Sequence, residues 1–199
     1  MKIAICSDLH LEFGDLYLNN NEGADVLVLS GDIFVASDLK SWLYDESAQL
    51  IAATSSQKAR ADRIMTFMRG CLENFKHVIF VMGNHEHYHG DFAKTIPHFK
   101  DVLGYLPNLH ILEKETWVLD DVTFIGGTLW TDMNQRDIRT LHEISRMMND
   151  FRCVDNSAKS SDQRGWNPRF TTTDAADDHD AMLEYIRTTT EGRFDQKFV

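Results

Sequence analysis

Three stretches of the chain constrain its fold most: "KIAICSDLH" (2–10), "ADVLVLSGD" (24–32) and "HVIFVMGNH" (77–85). Each is a short run rich in β-branched residues with no alternation of polar and apolar positions. That is the pattern of a strand buried on both faces, as in a parallel sheet. Each run then breaks into Asp, Asn, His or Gly. Open α/β sheets bind their ligands outside the carboxyl ends of the strands. Three strands that all end in polar clusters are therefore expected to serve one site.

The rest of the chain fits an α/β reading, a layered β-sheet core flanked by helices. In "SSQKARADRIMTFMRGCLENF", Ile64, Phe67, Met68, Cys71, Leu72 and Phe75 recur at helical spacing, so a helix packs here on the sheet and its methionines are core. A second helix is expected over about 91–103. "NLHILEKETWVLDDVTFIGGTLW" reads as three short strands with a tight turn at Asp120-Asp121. Helices are expected again over 135–149 and about 174–190. The polar stretch 155–173 is too long for an ordinary connection and is a candidate lid. Within it Lys159, Arg164 and Arg169 surround Trp166, either as a solvated loop or as a phosphate-facing cluster. The final "RFDQKFV" reads as the opening of a buried strand, which suggests that the domain over 1–199 is incomplete at its C-terminus.

Composition narrows the function. The formal net charge is −11, and so acidic a surface repels polyphosphate backbones. Strong non-specific nucleic-acid binding is not expected. Cys6, Cys71 and Cys153 are odd in number and far apart, the pattern of reduced thiols in a cytoplasmic protein. No apolar run approaches the length of a membrane span, and the N-terminus turns polar too soon for a signal peptide.

The strand-end clusters are Asp8-x-His10, Gly31-Asp32 and Gly83-Asn84-His85-Glu86. A two-residue step lets Asp8 and His10 face one point. Asp32 has two oxygens and can bridge two cations, while Asn84 adds a neutral carbonyl oxygen. Such a mixture of carboxylate, imidazole and amide suits Mn²⁺, Fe²⁺ or Zn²⁺. Two ions so placed suit phosphate-ester cleavage, because they generate hydroxide near neutral pH and stabilise charge on the phosphoryl oxygens. His85 is placed to donate a proton to the leaving alkoxide.

The order DxH…GD…GNHE resembles the calcineurin-like metallophosphoesterase superfamily, and "FIGGTLWTD" (124–132) resembles its small single-domain phage and bacterial members. The resemblance implies that Asp8 and His10 bind the first metal, Asp32 bridges and Asn84 binds the second. It also implies that His85 assists the transition state and that Glu86 orients the site from behind. It implies a phosphomonoesterase or phosphodiesterase with two divalent ions and metal-bound hydroxide, acting on a small phosphate ester or a nucleotide. Members of the family carry two further motifs downstream, a His after another strand and a GHxH, and neither occurs in these 199 residues. The second metal site is therefore expected to be weak. A non-catalytic binding module of the same fold is the alternative, and a severed sheet edge would invite homo-oligomerisation. "GDIFVAS" lacks the Arg of the phosphoprotein phosphatase branch, and the nuclease branch usually adds basic surface.

Other polar residues have plainer readings. His87 and His89 are expected to be solvated or bonded to backbone. His142 and His179 are expected at the surface, as minor candidates for substitute ligands. "DAADDHD" (174–180) reads as an acid-rich helix start, which the helix dipole favours.

Overall fold

The computed structural model describes residues 1–42, 55–159, 168–193 and 195–199. Its centre is a parallel sheet of four strands in sequence order: β1 (Ile3–Cys6), β2 (Val26–Ser30), β3 (His77–Val81) and β4 (Leu109–Leu112). The register sets Ile5 beside Val28 and Val28 beside Ile79, so the three polar strand ends leave the sheet side by side.

One face of this sheet is covered by helices. The helical spacing read from the sequence becomes α1 (Ser55–Asn74), which buries Ile64, Phe67, Met68 and Cys71, with Phe75 just past its end, in one core with Leu27, Leu29, Val78 and Phe80. Helix α2 (Phe92–Leu103) starts at Asp91, whose side chain caps Ala93 N, and adds Phe99 and Leu103 to that core. On the other face lies a smaller sheet, the antiparallel hairpin β5 (Glu115–Leu119) and β6 (Val122–Gly126) with β7 (Lys197–Phe198) parallel to β6. Asp120 sits at φ 53° in the expected turn. Val122 and Phe124 pack there on Val26, Ile79 and Leu112.

Burial on both faces holds for β2 and β3 but not for β1. Ile5 is 64% exposed, because the small sheet covers Val26 and Ile79 and does not reach it. The expected buried strand at the end of the chain is a strand, but Lys197 is exposed and Phe198 half-buried at the edge of the small sheet.

The expected helix over 135–149 forms as α4 (Ile138–Met147), preceded by a turn, α3 (Met133–Arg136), in which all four residues have φ between 54° and 60°. L-residues avoid that left-handed conformation at about 1–2 kcal/mol each. Tertiary contacts hold it here: Met133 is buried, and Arg136 pairs with Asp177 and Asp180 on the helix α6 (Thr172–Thr190). A short helix α5 (Asp150–Cys153) was not anticipated. Helix α6 opens with a capping box of Thr171 and Asp174, so the acid-rich run is a helix start.

The two ends of the 155–173 segment are fastened together, with Phe170 N on Val154 O and Asn156 N on Pro168 O. Lys159 pairs with Asp174 and Arg169 with Asp155. Arg164 and Trp166 lie outside the described residues.

No helix among the described residues is long and apolar enough to cross a membrane, and all three cysteines are free.

Candidate metal centre

The loops after β1 and β2 run together. Asp8 N donates to Gly31 O, His10 N to Asp32 O and Leu11 N to Ile33 O. Along this path Asp8, His10 and Asp32 have φ of 54°, 47° and 55°. Three non-glycine residues in the left-handed region within two short loops are a local cost of order 1–3 kcal/mol each, of the kind that collects at functional sites.

Gly31 and Gly83 let the second and third strand ends meet. A Cβ on Gly31 (φ 88°) would stand 2.9 Å from Gly83 Cα, and a Cβ on Gly83 would stand 2.2 Å from Asp32 Oδ1. Only hydrogen fits at both positions. Backbone contact between the two loops brings the Asp32 carboxylate to the start of the short 3₁₀ turn His85–His87, where His85 N donates to Asp32 Oδ1 at 3.0 Å.

Glu86 fastens the same junction from beneath. It is 1% exposed, and its carboxylate accepts from the backbone N–H of Asp32, Ile33, Phe34 and Gly83. Burial pushes its carboxyl up to about 7, while the Ile33 and Gly83 amides pull the other way.

The result is a compact donor group. One ligand atom each from His10, Asp32 and His85 lie within 4.8 Å of one another. Asn84 follows on the same loop. Its Nδ2 donates to Asp150 Oδ1 at 2.7 Å, which leaves its carbonyl oxygen as the remaining polar atom. Asp150, 1% exposed, also accepts from Tyr88 Oη, and the Tyr88 ring stacks on His85 with centroids 4.2 Å apart. Burial, then the neighbouring Asp150 charge, pushes the Tyr88 hydroxyl well above its ordinary pKa. Asp8 is exposed at the end of β1 and lies outside the close group. Beside Asn84 opens a cleft of about 490 Å³, lined by Ser30, Gly83, Thr128 and Trp130 among others.

Two residues at the site escaped the sequence reading. Glu12 Oε1 lies 3.2 Å from His10 Nδ1 and 3.1 Å from His85 Nδ1. The two-residue step that joins Asp8 to His10 continues to Glu12, and that was its one visible signal. Asp150 gives no local signal, since its partner Asn84 is 66 residues away.

The four other histidines weighed from the sequence divide. His89 and His142 are exposed, and His179 Nδ1 bonds Trp130 O at 2.6 Å. His87 is neither solvated nor bonded to backbone. It is 2% exposed, its ring is flanked by Phe92 and Trp130, and neither ring nitrogen has a partner among the described residues. Aromatic neighbours claimed the imidazole as an apolar body.

A sequence family described as calcineurin-like phosphoesterase matches residues 1–186. Uncharacterized protein L509 of Acanthamoeba polyphaga mimivirus is 29% identical over 85 residues, 39% of this chain and 28% of that protein. The crystal structure of phosphopantetheinyl hydrolase (PptH) from Mycobacterium tuberculosis shares the fold with a TM-score of 0.50 and 14% identity, over 96% of this chain and 63% of that one. The chain thus spans less than two thirds of the length of either protein.

Proposed function

Since this chain belongs to the calcineurin-like phosphoesterase family, a family of metal-dependent phosphoester hydrolases, we propose that it hydrolyses a small phosphate ester or nucleotide through His10, Asp32, Asn84 and His85. The observation that carries this reading is the close group of His10, Asp32 and His85, assembled from three different strand ends.

The donor set fits divalent metal. Imidazole, carboxylate and amide oxygen suit Mn²⁺, Fe²⁺ or Zn²⁺. In this reading His10 and Asp32 would hold one ion, with Asp8 at its margin, and Asp32 and Asn84 would hold a second, weaker one. When bound, the ions would supply acidified water and positive charge beside the phosphoryl oxygens.

The chain's own residues do the rest. The His85 backbone N–H on Asp32 Oδ1 keeps the shared carboxylate from swinging away. Asp150 takes the amide nitrogen of Asn84 and so turns the carbonyl oxygen into its free donor atom. His85 gives a proton to the departing alkoxide. The cleft beside Asn84 receives the ester. A net charge of −11 favours a small substrate over a nucleic-acid backbone.

A second reading is a non-catalytic module of the same fold. It is favoured by Asp8 lying outside the close group. An aryl phosphate and a bis-aryl phosphodiester, assayed with added Mn²⁺, separate the two. Turnover that Asp32→Ala lowers about 100-fold or more supports hydrolysis through this site. Mn²⁺ binding without turnover favours the module, and turnover untouched by Asp32→Ala refutes the site.

A further inference from the structure

We propose that Glu12 is the positioning residue of this site: one carboxylate oxygen fixes the tautomers of His10 and His85 together, holding Nδ1–H in both rings and leaving Nε2 of each as the working nitrogen. The inference rests on the hydrolase reading for its purpose but not for its geometry.

An ionised carboxylate can only accept, so a contact with a ring nitrogen is a hydrogen bond only when that nitrogen carries the hydrogen. Glu12 Oε1 makes two such contacts, at 3.2 Å to His10 Nδ1 and 3.1 Å to His85 Nδ1. The rings stand edge-on, with centroids 4.4 Å apart and planes at 77°. Both Nδ1 atoms therefore converge on one oxygen. The Glu12 side chain is 14% exposed, and its other oxygen is buried with no partner among the described residues. Among the described residues, the two imidazoles are the partners this carboxylate has. Glu12 is not among the three residues whose ligand atoms cluster, and its contacts are with the ring nitrogens themselves.

The backbone brings Glu12 to this place ready-made. Leu11 is buried in the helix-side core. Arg63 Nη1, from α1, donates to the carbonyls of Leu11 at 2.9 Å and Glu12 at 3.4 Å, while its Nε pairs with Asp15. Phe13 N closes a turn onto His10 O at 3.0 Å.

A metal-ligating histidine commonly gives its other ring N–H to a carboxylate or carbonyl, and loss of that partner costs about 10- to 100-fold in metal affinity. Sharing one oxygen between two rings goes further. It ties the ring that would bind the ion to the ring that, once its Nε2 has taken up a proton, would pass that proton to the leaving group.

The test is long-range ¹H–¹⁵N spectroscopy of the metal-free protein, whose ¹⁵N shifts report which ring nitrogens carry hydrogen, together with calorimetric Mn²⁺ titration. Both rings are expected as Nδ1–H tautomers. Glu12→Gln, whose amide can also donate, is expected to mix the tautomers and to weaken Mn²⁺ binding about 10- to 100-fold at an unchanged melting temperature. Glu12→Asp, which keeps the charge on a shorter stem, is expected to retain part of both properties. An Nε2–H tautomer of His10 or His85 in the unaltered protein overturns the proposal, and that measurement needs no variant to fold. So does a folded Glu12→Gln protein with unchanged Mn²⁺ affinity. Failure of the hydrolase reading looks different: no turnover, with both tautomers as expected.

Discussion

His87 is the residue whose burial should be easiest to read in a stability experiment. The ring is enclosed between Phe92 and Trp130 with both nitrogens unpartnered among the described residues. Burial, helped by the positive charge of Lys114, pushes its pKa from 6.5 down to about 3. The folded protein therefore keeps this imidazole neutral across a range in which the unfolded chain protonates it. His87 adds no pH dependence to stability well above pH 6.5, and stability is lost as pH falls from there toward 3. At about pH 5 the unfolded state gains about 2 kcal/mol from this one proton. His87→Leu removes the titrating group and replaces it with an apolar one of similar bulk. Urea unfolding of the metal-free proteins at about pH 7.5 and about pH 5 isolates the effect, since at the higher pH the imidazole is neutral in both states. The unaltered protein should lose about 2 kcal/mol more than His87→Leu between the two conditions, whatever their difference at the higher pH. Equal losses would refute the reasoning and mean that His87 is protonated, or reached by water, in the folded state.

Two further perturbations test other parts of the structure. Asp150→Ala strands Asn84 Nδ2 and Tyr88 Oη without their shared acceptor. It should cost about 2 kcal/mol in chemical unfolding, and it should weaken Mn²⁺ binding if Asn84 is a ligand. Gln135, exposed in the left-handed turn at φ 57°, ψ 40°, should tolerate glycine. Gln135→Gly is expected to raise stability by up to about 1 kcal/mol, the relieved strain exceeding the added freedom of the unfolded chain. A fall of similar size would mean that this turn is not left-handed in solution.

Much of this architecture was visible in the residues because local pattern and global fold agree. The runs ending at Cys6, Ser30 and Val81 could be read as parallel strands because nothing polar interrupts them, and the spacing from Ile64 to Phe75 marks the buried face of α1. The polar clusters at those strand ends do meet, because parallel strands in sequence order leave the sheet at one edge. What stayed hidden depends on distant contacts. The left-handed turn at Met133–Arg136 contains no glycine to announce it and is held by α6, more than 40 positions on. Glu12 resembled an ordinary surface acid until a loop 73 residues away delivered His85 to it. His87 was misread because a histidine after a polar motif carries no mark of the two aromatic rings that enclose it. Ile5 was misread because the pattern of a strand records its own apolarity, not how far a second sheet extends.

The carboxylate of Glu86 has a dynamic consequence. It accepts from amides on both sides of a junction, Asp32, Ile33 and Phe34 after β2 and Gly83 after β3. Neither loop can pull back from the sheet without first taking amides away from the same two oxygens. The ends of β2 and β3 therefore open as one unit, and their amide hydrogens should exchange with solvent in a single event rather than loop by loop. A disturbance that reaches Ile33 is felt at His85 directly, by way of a side chain and not through the ladder of the sheet.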